Sequence, residues 1–220
     1  KQLDDFKRLG VFGDWENSYK SLDSKFEADV VRALGLIFDA GHIEKGEKPV
    51  HWCQDCGSAL AEAEVEYKDK NSKSIDVLFE ADNDSLSKLK EIFKTNKPES
   101  ISFVIWTTTP WTIPSNVAVC INRDLDYSLI DIDNKYLVIA SEMIGSCGER
   151  WGKKVKEVSK ISGTLIKDLE LLHPFLNRKS ILLHGNHVTT EAGTGCVHTA
   201  PAHGIDDHLI CKKNNIKSIK

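Results

Sequence analysis

Hydrophobic residues recur at two different spacings along the chain, and the change of spacing divides it near residue 50. Residues 1–45 follow a helical period. Ser24 and Glu27 are spaced as a capping box, and Gly41 follows the last periodic position, so the pattern predicts an amphipathic helix between Ser24 and Gly41. The apolar residues that share one face of this helix are Phe26, Val30, Ala33, Leu34, Ile37 and Phe38.

After Pro49 the apolar positions alternate, which is typical of strands with one buried face. Residues 65–67 and 75–79 predict a hairpin around the polar turn 69–73. Further strands are predicted at 101–106, 117–121, 127–132, 136–139, 155–161 and 180–183, and short helices at 86–93 and 206–213. The order predicts an α+β fold, in which a helical stalk precedes a β-rich domain of antiparallel strands.

Composition and charge narrow the class of protein. With 220 residues, of which 40% are hydrophobic, the chain can bury a core. Lys and Arg number 29 against 33 Asp and Glu, a net charge of -4, so any contact with RNA must be local. No apolar run approaches the roughly 18 residues of a membrane helix, and residues 1–8 lack a signal-peptide core, so we expect a cytoplasmic protein with no membrane contact.

The cysteines and the chain ends add two expectations. Six cysteines at irregular spacing do not form a disulfide framework in a chain of this length, so we expect reduced thiols. The first residue is Lys1, and the one methionine is Met143. We therefore expect both ends to have been cut from a longer parent.

One segment that breaks the plain β pattern is 106–116, Trp-Thr-Thr-Thr-Pro-Trp-Thr-Ile-Pro-Ser-Asn. A predicted strand runs into three threonines and is stopped by Pro110, which collects hydroxyls and unpaired backbone groups at a strand end. One interpretation is a polar recognition rim. The alternative is that threonines simply suit strands and that the prolines mark a surface loop.

A second such segment is 193–207, which is rich in glycine and carries two histidines, His198 and His203. Asp206 and Asp207 stand where a helix begins, and a carboxylate there is expected to stay ionised. Such a group binds a substrate ammonium or, equally well, caps the helix. The histidines are acid–base groups, metal ligands or hydrogen-bonded loop residues.

Cys53-Gln-Asp-Cys56 has the spacing of half a zinc site, and a tetrahedral site needs two more ligands. His208 and Cys211 on the last predicted helix are one pair that could complete it. Alternatively, a second cysteine pair outside this chain supplies the two missing ligands, or the two thiols bind no metal.

The segments 48–56, 58–67, 106–116 and 193–207 together resemble the editing insertion of class I aminoacyl-tRNA synthetases of the bacterial isoleucyl type. Valyl and leucyl relatives carry Thr-Thr-Arg-Pro where this chain has Thr107-Thr108-Thr109-Pro110, which favours the isoleucyl member. The family's ATP-handling signatures, His-x-Gly-His and Lys-Met-Ser-Lys-Ser, are absent. We therefore expect no amino-acid activation by this chain.

The resemblance implies a fold, with antiparallel strands forming a barrel-like core and peripheral helices. It also implies domain limits, with a connector at 1–50, the editing domain at 51–215 and a truncated tail at 216–220.

The function implied is hydrolysis of valine mischarged on tRNA for isoleucine, with valyl-adenylate as a second candidate substrate. One methylene is worth only ~1–3 kcal/mol in an apolar pocket, as is established for this family, so a second, size-excluding site removes valine. Site residues follow by resemblance. Thr107, Thr108 and Thr109 hold the ester and a water, Asp207 binds the α-ammonium, His198 excludes isoleucine, and Trp106 and Asn116 contact adenosine or the pocket wall.

The implied partners are the 3′ end of tRNA for isoleucine and the rest of the parent synthetase, and we expect a monomer. Editing needs no cofactor, whereas the parent uses ATP and can hold zinc. Three rival readings remain open, namely a non-catalytic tRNA-binding module, a metal-dependent hydrolase built on Cys53, Cys56 and histidines, and an editing domain of the valyl or leucyl relatives.

Overall fold

A computed structural model describes residues 1–219 and divides the chain into two compact units, Lys1–Glu47 and a second that begins at Lys48. The expected limits of an editing domain at 51 and 215 stay a prediction about function. Within the described residues, no helix has the length and apolar character needed to cross a bilayer.

The helices and strands are short and numerous. The helices are Gln2–Arg8 (α1), Ser24–Asp39 (α2), Asn83–Ile92 (α3), Ile144–Trp151 (α4) and Ile205–Lys213 (α5). The strands are His51–Cys53 (β1), Ser58–Leu60 (β2), Ile75–Glu80 (β3), Ile101–Thr107 (β4), Ala118–Ile121 (β5), Asp126–Ile132 (β6), Lys135–Ala140 (β7), Lys156–Ser162 (β8), Glu170–Leu172 (β9), Lys179–His184 (β10) and Val197–Thr199 (β11).

The first unit contains α1 and α2. Helix α2 lies where the periodicity places it, and Gly41 adopts a φ of 77° just beyond its end. The predicted capping box is wrong, because Asp23 occupies the N-cap position and makes no side-chain cap bond, which leaves Ser24 inside the first turn. Residues 9–23 are not helical, since Gly10 and Gly13 interrupt the pattern.

The second unit is built on two open sheets. Five strands follow the order β3-β4-β7-β6-β8, four follow β11-β5-β10-β9, and β1 with β2 forms a small separate hairpin. The predicted α+β, β-rich class is confirmed. The sheets among residues 1–219 are not closed into a barrel, and two pairs, β4–β7 and β5–β10, are parallel rather than antiparallel.

The predicted hairpin of 65–67 with 75–79 is wrong. Residues 65–67 form no strand, and Tyr67 is 83% exposed. Strand β3 instead pairs antiparallel with β4 over its whole length, from Ile75 opposite Thr107 to Glu80 opposite Ser102. Long-range pairing with an apolar strand outcompetes the nearby polar segment, which has no buried face to offer.

The core contains side chains of both sheets, and β4 is a largely apolar run within it. Its residues from Ile101 to Ile105 are all buried, because β3 and β7 flank the strand and side chains pack on both faces. In the same sheet, the predicted turn between β6 and β7 is confirmed, since Asp133 and Asn134 both have positive φ. Because β4 is held in the core, the position of the threonine segment at its end is fixed as well.

Candidate functional site

The threonine segment 107–109 leaves β4 as a turn held by its own hydroxyl groups. The backbone N–H of Thr109 donates to Oγ1 of Thr107 at 3.0 Å, and the two threonine hydroxyls are 3.2 Å apart. Thr107 is buried, whereas Thr108 and Thr109 are exposed. The Thr108 hydroxyl has no hydrogen bond within the described residues, so it is available to a ligand.

A glycine loop faces this turn, and its backbone requires glycine at two positions. Gly193 and Gly195 have φ values of 84° and 73°. A Cβ on Gly195 would lie 2.2 Å from Cβ of Ala140, and one on Gly193 would lie 3.4 Å from Cβ of Trp106. The hydroxyl of Tyr127, a buried residue, donates to the carbonyl of Gly195 at 2.7 Å. The loop is therefore fixed close to the end of β4.

The turn and the loop enclose a cleft of about 270 Å³. Trp106, Thr107 and Thr108 line it from β4, while residues 192–197 line it from the glycine loop, with His187 and Thr189 beside them. At about 30 Å³ per water molecule, the space suffices for a small side chain and several waters.

His198 is not among the residues that line this cleft and is held by the threonine segment. It is 8% exposed, and its Nε2 is 2.9 Å from Oγ1 of Thr112. The Thr112 hydroxyl donates to the carbonyl of Thr109 at 2.8 Å, so Nε2 of His198 must donate to Thr112. On the other side of the ring, Nδ1 faces the amide nitrogen of Asn116 at 3.4 Å.

The partners of His198 therefore require a neutral imidazole, with Nδ1 as an acceptor. Burial, with smaller effects from His203 and His173, lowers the pKa of His198 to about 4, which agrees with that geometry.

Asn116 belongs to this buried network rather than to the cleft wall. It is fully buried, its amide donates to the carbonyl of Ala118 at 2.7 Å, and its Oδ1 accepts from the hydroxyl of Ser180 at 2.7 Å. Its side chain positions His198, and its contact with a substrate stays a prediction. Trp106 is partly buried and does line the cleft.

Asp207 stands in the first turn of α5 and accepts a hydrogen bond from the backbone N–H of Ala200 at 2.9 Å. Ala200 follows directly after β11, the strand that carries His198. Burial raises the pKa of the Asp207 carboxyl, and the Ala200 bond and the nearby His187 and His203 oppose the rise. The pKa of Asp207 is therefore raised, whereas the helix N-terminus alone would lower it.

The predicted site residues thus fall into three groups. Thr107, Thr108 and Trp106 line the cleft, and Thr109 bonds to Thr107 without lining it. His198 with Asn116 forms a buried pair outside the lining. Asp207 is not among the lining residues. The charge of His187, a residue that does line the cleft, slightly opposes the rise in the pKa of Asp207.

Comparison with known proteins places this arrangement in a family. The model of the class I tRNA synthetases (I, L, M and V) matches residues 1–202. The chain belongs to the class I tRNA synthetases. It is 51% identical to the isoleucine–tRNA ligase of Thioalkalivibrio sulfidiphilus (strain HL-EbGR7) and 50% identical to that of Legionella pneumophila (strain Paris), each over 211 residues. The resemblance predicted from the motifs is confirmed.

Each of these alignments covers 95% of this chain and 22% of the relative. This class I tRNA synthetase chain therefore spans about a fifth of the length of the curated relatives it matches. The editing domain of the Plasmodium knowlesi cytosolic leucyl-tRNA synthetase superposes with a TM-score of 0.54 at 11% identity, covering 66% of this chain and 65% of that one. At that identity the likeness concerns the fold alone, and the fold is that of an editing domain.

The cysteine pair of this synthetase chain lies in the β1–β2 hairpin. The backbone N–H of Cys56 donates to Sγ of Cys53 at 3.3 Å. Hydrogen bonds from the side chain and backbone of Cys56 lower the pKa of the Cys53 thiol. Cys211 is buried, which raises the pKa of its thiol to about 11. Residues 1–219 hold no cluster of three metal-ligating side chains, so neither His208 nor Cys211 joins the pair there.

Three residues of the site carried no sequence signal of their own. Tyr127 follows the alternation of a strand, Thr112 falls inside the motif with no assigned role, and His187 precedes the glycine loop. Tyr127 and Thr112 act through hydrogen bonds to residues far along the chain, which spacing does not reveal, and His187 is recognised only by its place in the cleft lining.

Proposed function

We propose that this chain is an editing module that hydrolyses valine esterified to tRNA for isoleucine, with valyl-adenylate as a second candidate substrate. The observation that carries the proposal is the cleft of about 270 Å³ in which Thr107 and Thr108 face a rigid glycine loop. Family membership and the editing-domain fold support it, as does the identity of about half to isoleucine–tRNA ligases.

The proposed reaction is attack of a water on the carbonyl carbon of the ester. A carbon–oxygen bond forms to the water, and the bond to the ribose oxygen breaks. One water proton passes to that oxygen and the other to solvent, which leaves valine carboxylate and a free hydroxyl on the RNA. The ester is already activated, so no protein nucleophile is needed, and orientation with oxyanion stabilisation lowers the barrier.

The threonines supply the donors for this step. The hydroxyl of Thr108 has no partner within the described residues and stands at the cleft, where it can donate to the developing oxyanion. Thr107 and Thr109 bond to each other and hold the turn in shape. A donor that needs no reorganisation is the most effective kind.

Asp207 is proposed to bind the α-ammonium of the amino acid. Its Oδ2 accepts from Ala200, and the rest of the carboxylate makes no other hydrogen bond within the described residues. Since a charge-assisted hydrogen bond is worth about 1.5–3 kcal/mol, this contact can fix the ester relative to the threonines.

Size selection is assigned to His198, whose ring is fixed by the threonine segment and is not among the residues that line the cleft. Thr112 and Asn116 prevent the ring from turning aside. We expect the side chain of the bound amino acid to reach this ring, so that valine fits and the extra methylene of isoleucine overlaps with it.

The proposal needs no cofactor. We place the chain within an isoleucine–tRNA ligase of the cytoplasm that charges tRNA with isoleucine, and we propose that Cys53 and Cys56 serve the hairpin rather than the reaction.

Deacylation of valyl-tRNA by the 220-residue chain, compared with its Asp207→Asn variant, tests the proposal. Asparagine keeps an oxygen for Ala200 and removes the charge, so we expect kcat/KM to fall about 10- to 100-fold. Asp206→Asn is the matched control, because Asp206 is the exposed neighbour on the same helix. Full activity in Asp207→Asn, or no deacylation by the unaltered chain, would contradict the proposal.

A further inference from the structure

A second recess, of about 280 Å³, carries a local excess of positive charge. We call it the basic recess, and the polar side chains that line it are Arg123, Lys167, Lys213, Asp168, His184 and Asn214. They come from four separate segments: the turn after β5, the loop before β9, the end of β10 and the end of α5. None of them belongs to the cleft described above.

The three cations of the basic recess have no ion-pair partner within the described residues. The ion pairs in that part of the chain use other lysines and arginines. Asp168 is the one carboxylate in the lining, so two positive charges are in surplus. This runs against the net charge of the chain, which is -4.

The neutral members of the basic recess are already engaged. Nε2 of His184 donates to the carbonyl of Gly163 at 3.1 Å, and the amide of Asn214 donates to the carbonyl of Ile210 at 2.8 Å. His184 and Asn214 therefore shape the basic recess, and its three cations are available to bind a ligand.

A structural explanation accounts for only one of the cations. Lys213 lies in the last turn of α5, where a positive charge complements the helix dipole. That reason does not extend to Arg123 or Lys167, which lie on other segments. Three like charges in one recess repel one another, and an anion held between them removes that cost.

The basic recess is joined to the cleft wall through Tyr127 and to Asp207, the proposed ligand of the ammonium, through helix α5. The hydroxyl of Tyr127 accepts from the backbone N–H of Asn122, beside Arg123, at 2.9 Å, and donates to Gly195 of the cleft wall at 2.7 Å. Helix α5 carries Asp207 near one end and Lys213 at the other, about 9 Å apart along its axis at 1.5 Å per residue. An extended RNA strand can cover this distance within a few nucleotides.

We propose that the basic recess binds a backbone phosphate of the RNA whose 3′ end is held at the cleft. The identity of the RNA rests on the proposed function. Arg123 presents a planar guanidinium that suits bidentate contact with phosphate oxygens, and the two lysines add point charges. The recess thereby contributes affinity for the RNA and takes no part in the chemistry.

Binding of uncharged tRNA to the 220-residue chain over a series of salt concentrations tests the inference. In the double variant Arg123→Gln/Lys167→Gln we expect affinity at low salt to fall about 3- to 10-fold and the slope of log K against log salt to shrink by about 1 to 2. The matched control is Lys97→Gln/Lys135→Gln, which removes two exposed charges outside the basic recess.

A smaller effect is expected in the control. Equal effects in both double variants, or no measurable tRNA binding by the unaltered chain, would overturn the proposal. Loss of inorganic phosphate binding in Arg123→Gln/Lys167→Gln without a change in tRNA affinity would also overturn it, since the site would then serve a free anion.

A phosphate-free substrate separates this inference from the proposed function. Hydrolysis of valine esterified to adenosine is expected to be unchanged in Arg123→Gln/Lys167→Gln, while KM for valyl-tRNA rises and kcat stays within about twofold. A fall in both hydrolyses would show damage to the cleft and overturn the inference. If the unaltered chain hydrolyses neither substrate, the proposed function fails, and tRNA binding alone decides the role of the basic recess.

Discussion

The side chains of Thr112 and His198 are joined by a hydrogen bond of 2.9 Å across 86 residues of sequence. The bond connects the threonine segment to the strand of the second motif. Because the Thr112 hydroxyl donates to the carbonyl of Thr109, it accepts from Nε2 of His198. The two motifs therefore form one unit, in which His198 is held neutral.

Thr112→Val should weaken this unit without changing its volume greatly. The Nε2–H of His198 would lose its partner, while the carbonyl of Thr109 would keep only the backbone N–H of Thr112, at a cost of about 1–3 kcal/mol in the free energy of unfolding. Urea denaturation measures that cost. Thr164→Val, at an exposed threonine, is the control and should change stability by less than about 0.5 kcal/mol. Equal stability of the two variants would show that the bond contributes nothing.

Acidification should destabilise the site through His198. Its pKa in the folded state is lowered to about 4, below the value near 6.5 of an unfolded histidine, so the unfolded chain binds more protons in that interval. The stabilising contribution is complete above about pH 6.5 and is lost as the pH falls towards 4, by at most about 3 kcal/mol.

Denaturation curves between pH 7 and 4, for the unaltered chain and His198→Gln, isolate this effect. His173, whose pKa is also lowered by burial, and Asp207, whose pKa is raised, contribute equally to both proteins. The variant should show a shallower dependence of stability on pH. An unchanged slope would mean that His198 titrates normally in the fold.

Gly195→Ala should be far more damaging than alanine at another glycine of similar backbone. Gly152 has a φ of 59° and open space around it, so alanine there carries only the backbone cost of about 1–2 kcal/mol. At Gly195 the same backbone cost is joined by the overlap with Ala140, which should add about 2 kcal/mol or more. Thermal or urea unfolding of both variants measures the difference, and similar losses would contradict the close approach of the glycine loop.

The sequence predicts elements well where the pattern is local. Helix α3 and the β6–β7 turn follow from spacing and from Asp133-Asn134, as does the position of α5. Sequence patterns do not predict strand pairing that depends on a segment far along the chain. Examples are the pairing of β3 with β4 rather than with residues 65–67, and the parallel pairing of β4 with β7.

The same limit applies to the site. The motifs locate Thr107 and Thr108, but they do not distinguish a side chain that lines the cleft from a buried one outside the lining. Asn116 illustrates this, because its full burial follows from Ser180 and Ala118, which pack against it from β10 and β5. Tyr127 holds the glycine loop through a hydroxyl that the alternation of its strand cannot reveal.

Size selection predicts a gain of activity in His198→Ala. Removing the ring should open space for isoleucine, so isoleucyl-tRNA becomes a substrate while valyl-tRNA is still cleaved. Because the substitution also leaves a cavity, stability should fall by about 2–4 kcal/mol, and the assay belongs at a temperature where the variant is folded. A folded variant that still rejects isoleucyl-tRNA would assign the size limit to another residue.

Discrimination between two amino acids on one tRNA tests the account most directly. The rate of deacylation by the 220-residue chain is compared for valyl-tRNA and isoleucyl-tRNA, both on the isoleucine acceptor. We expect valyl-tRNA to be cleaved at least about 10-fold faster, since one methylene separates a fitting side chain from an overlapping one. Equal rates for the two esters would contradict a size-excluding cleft.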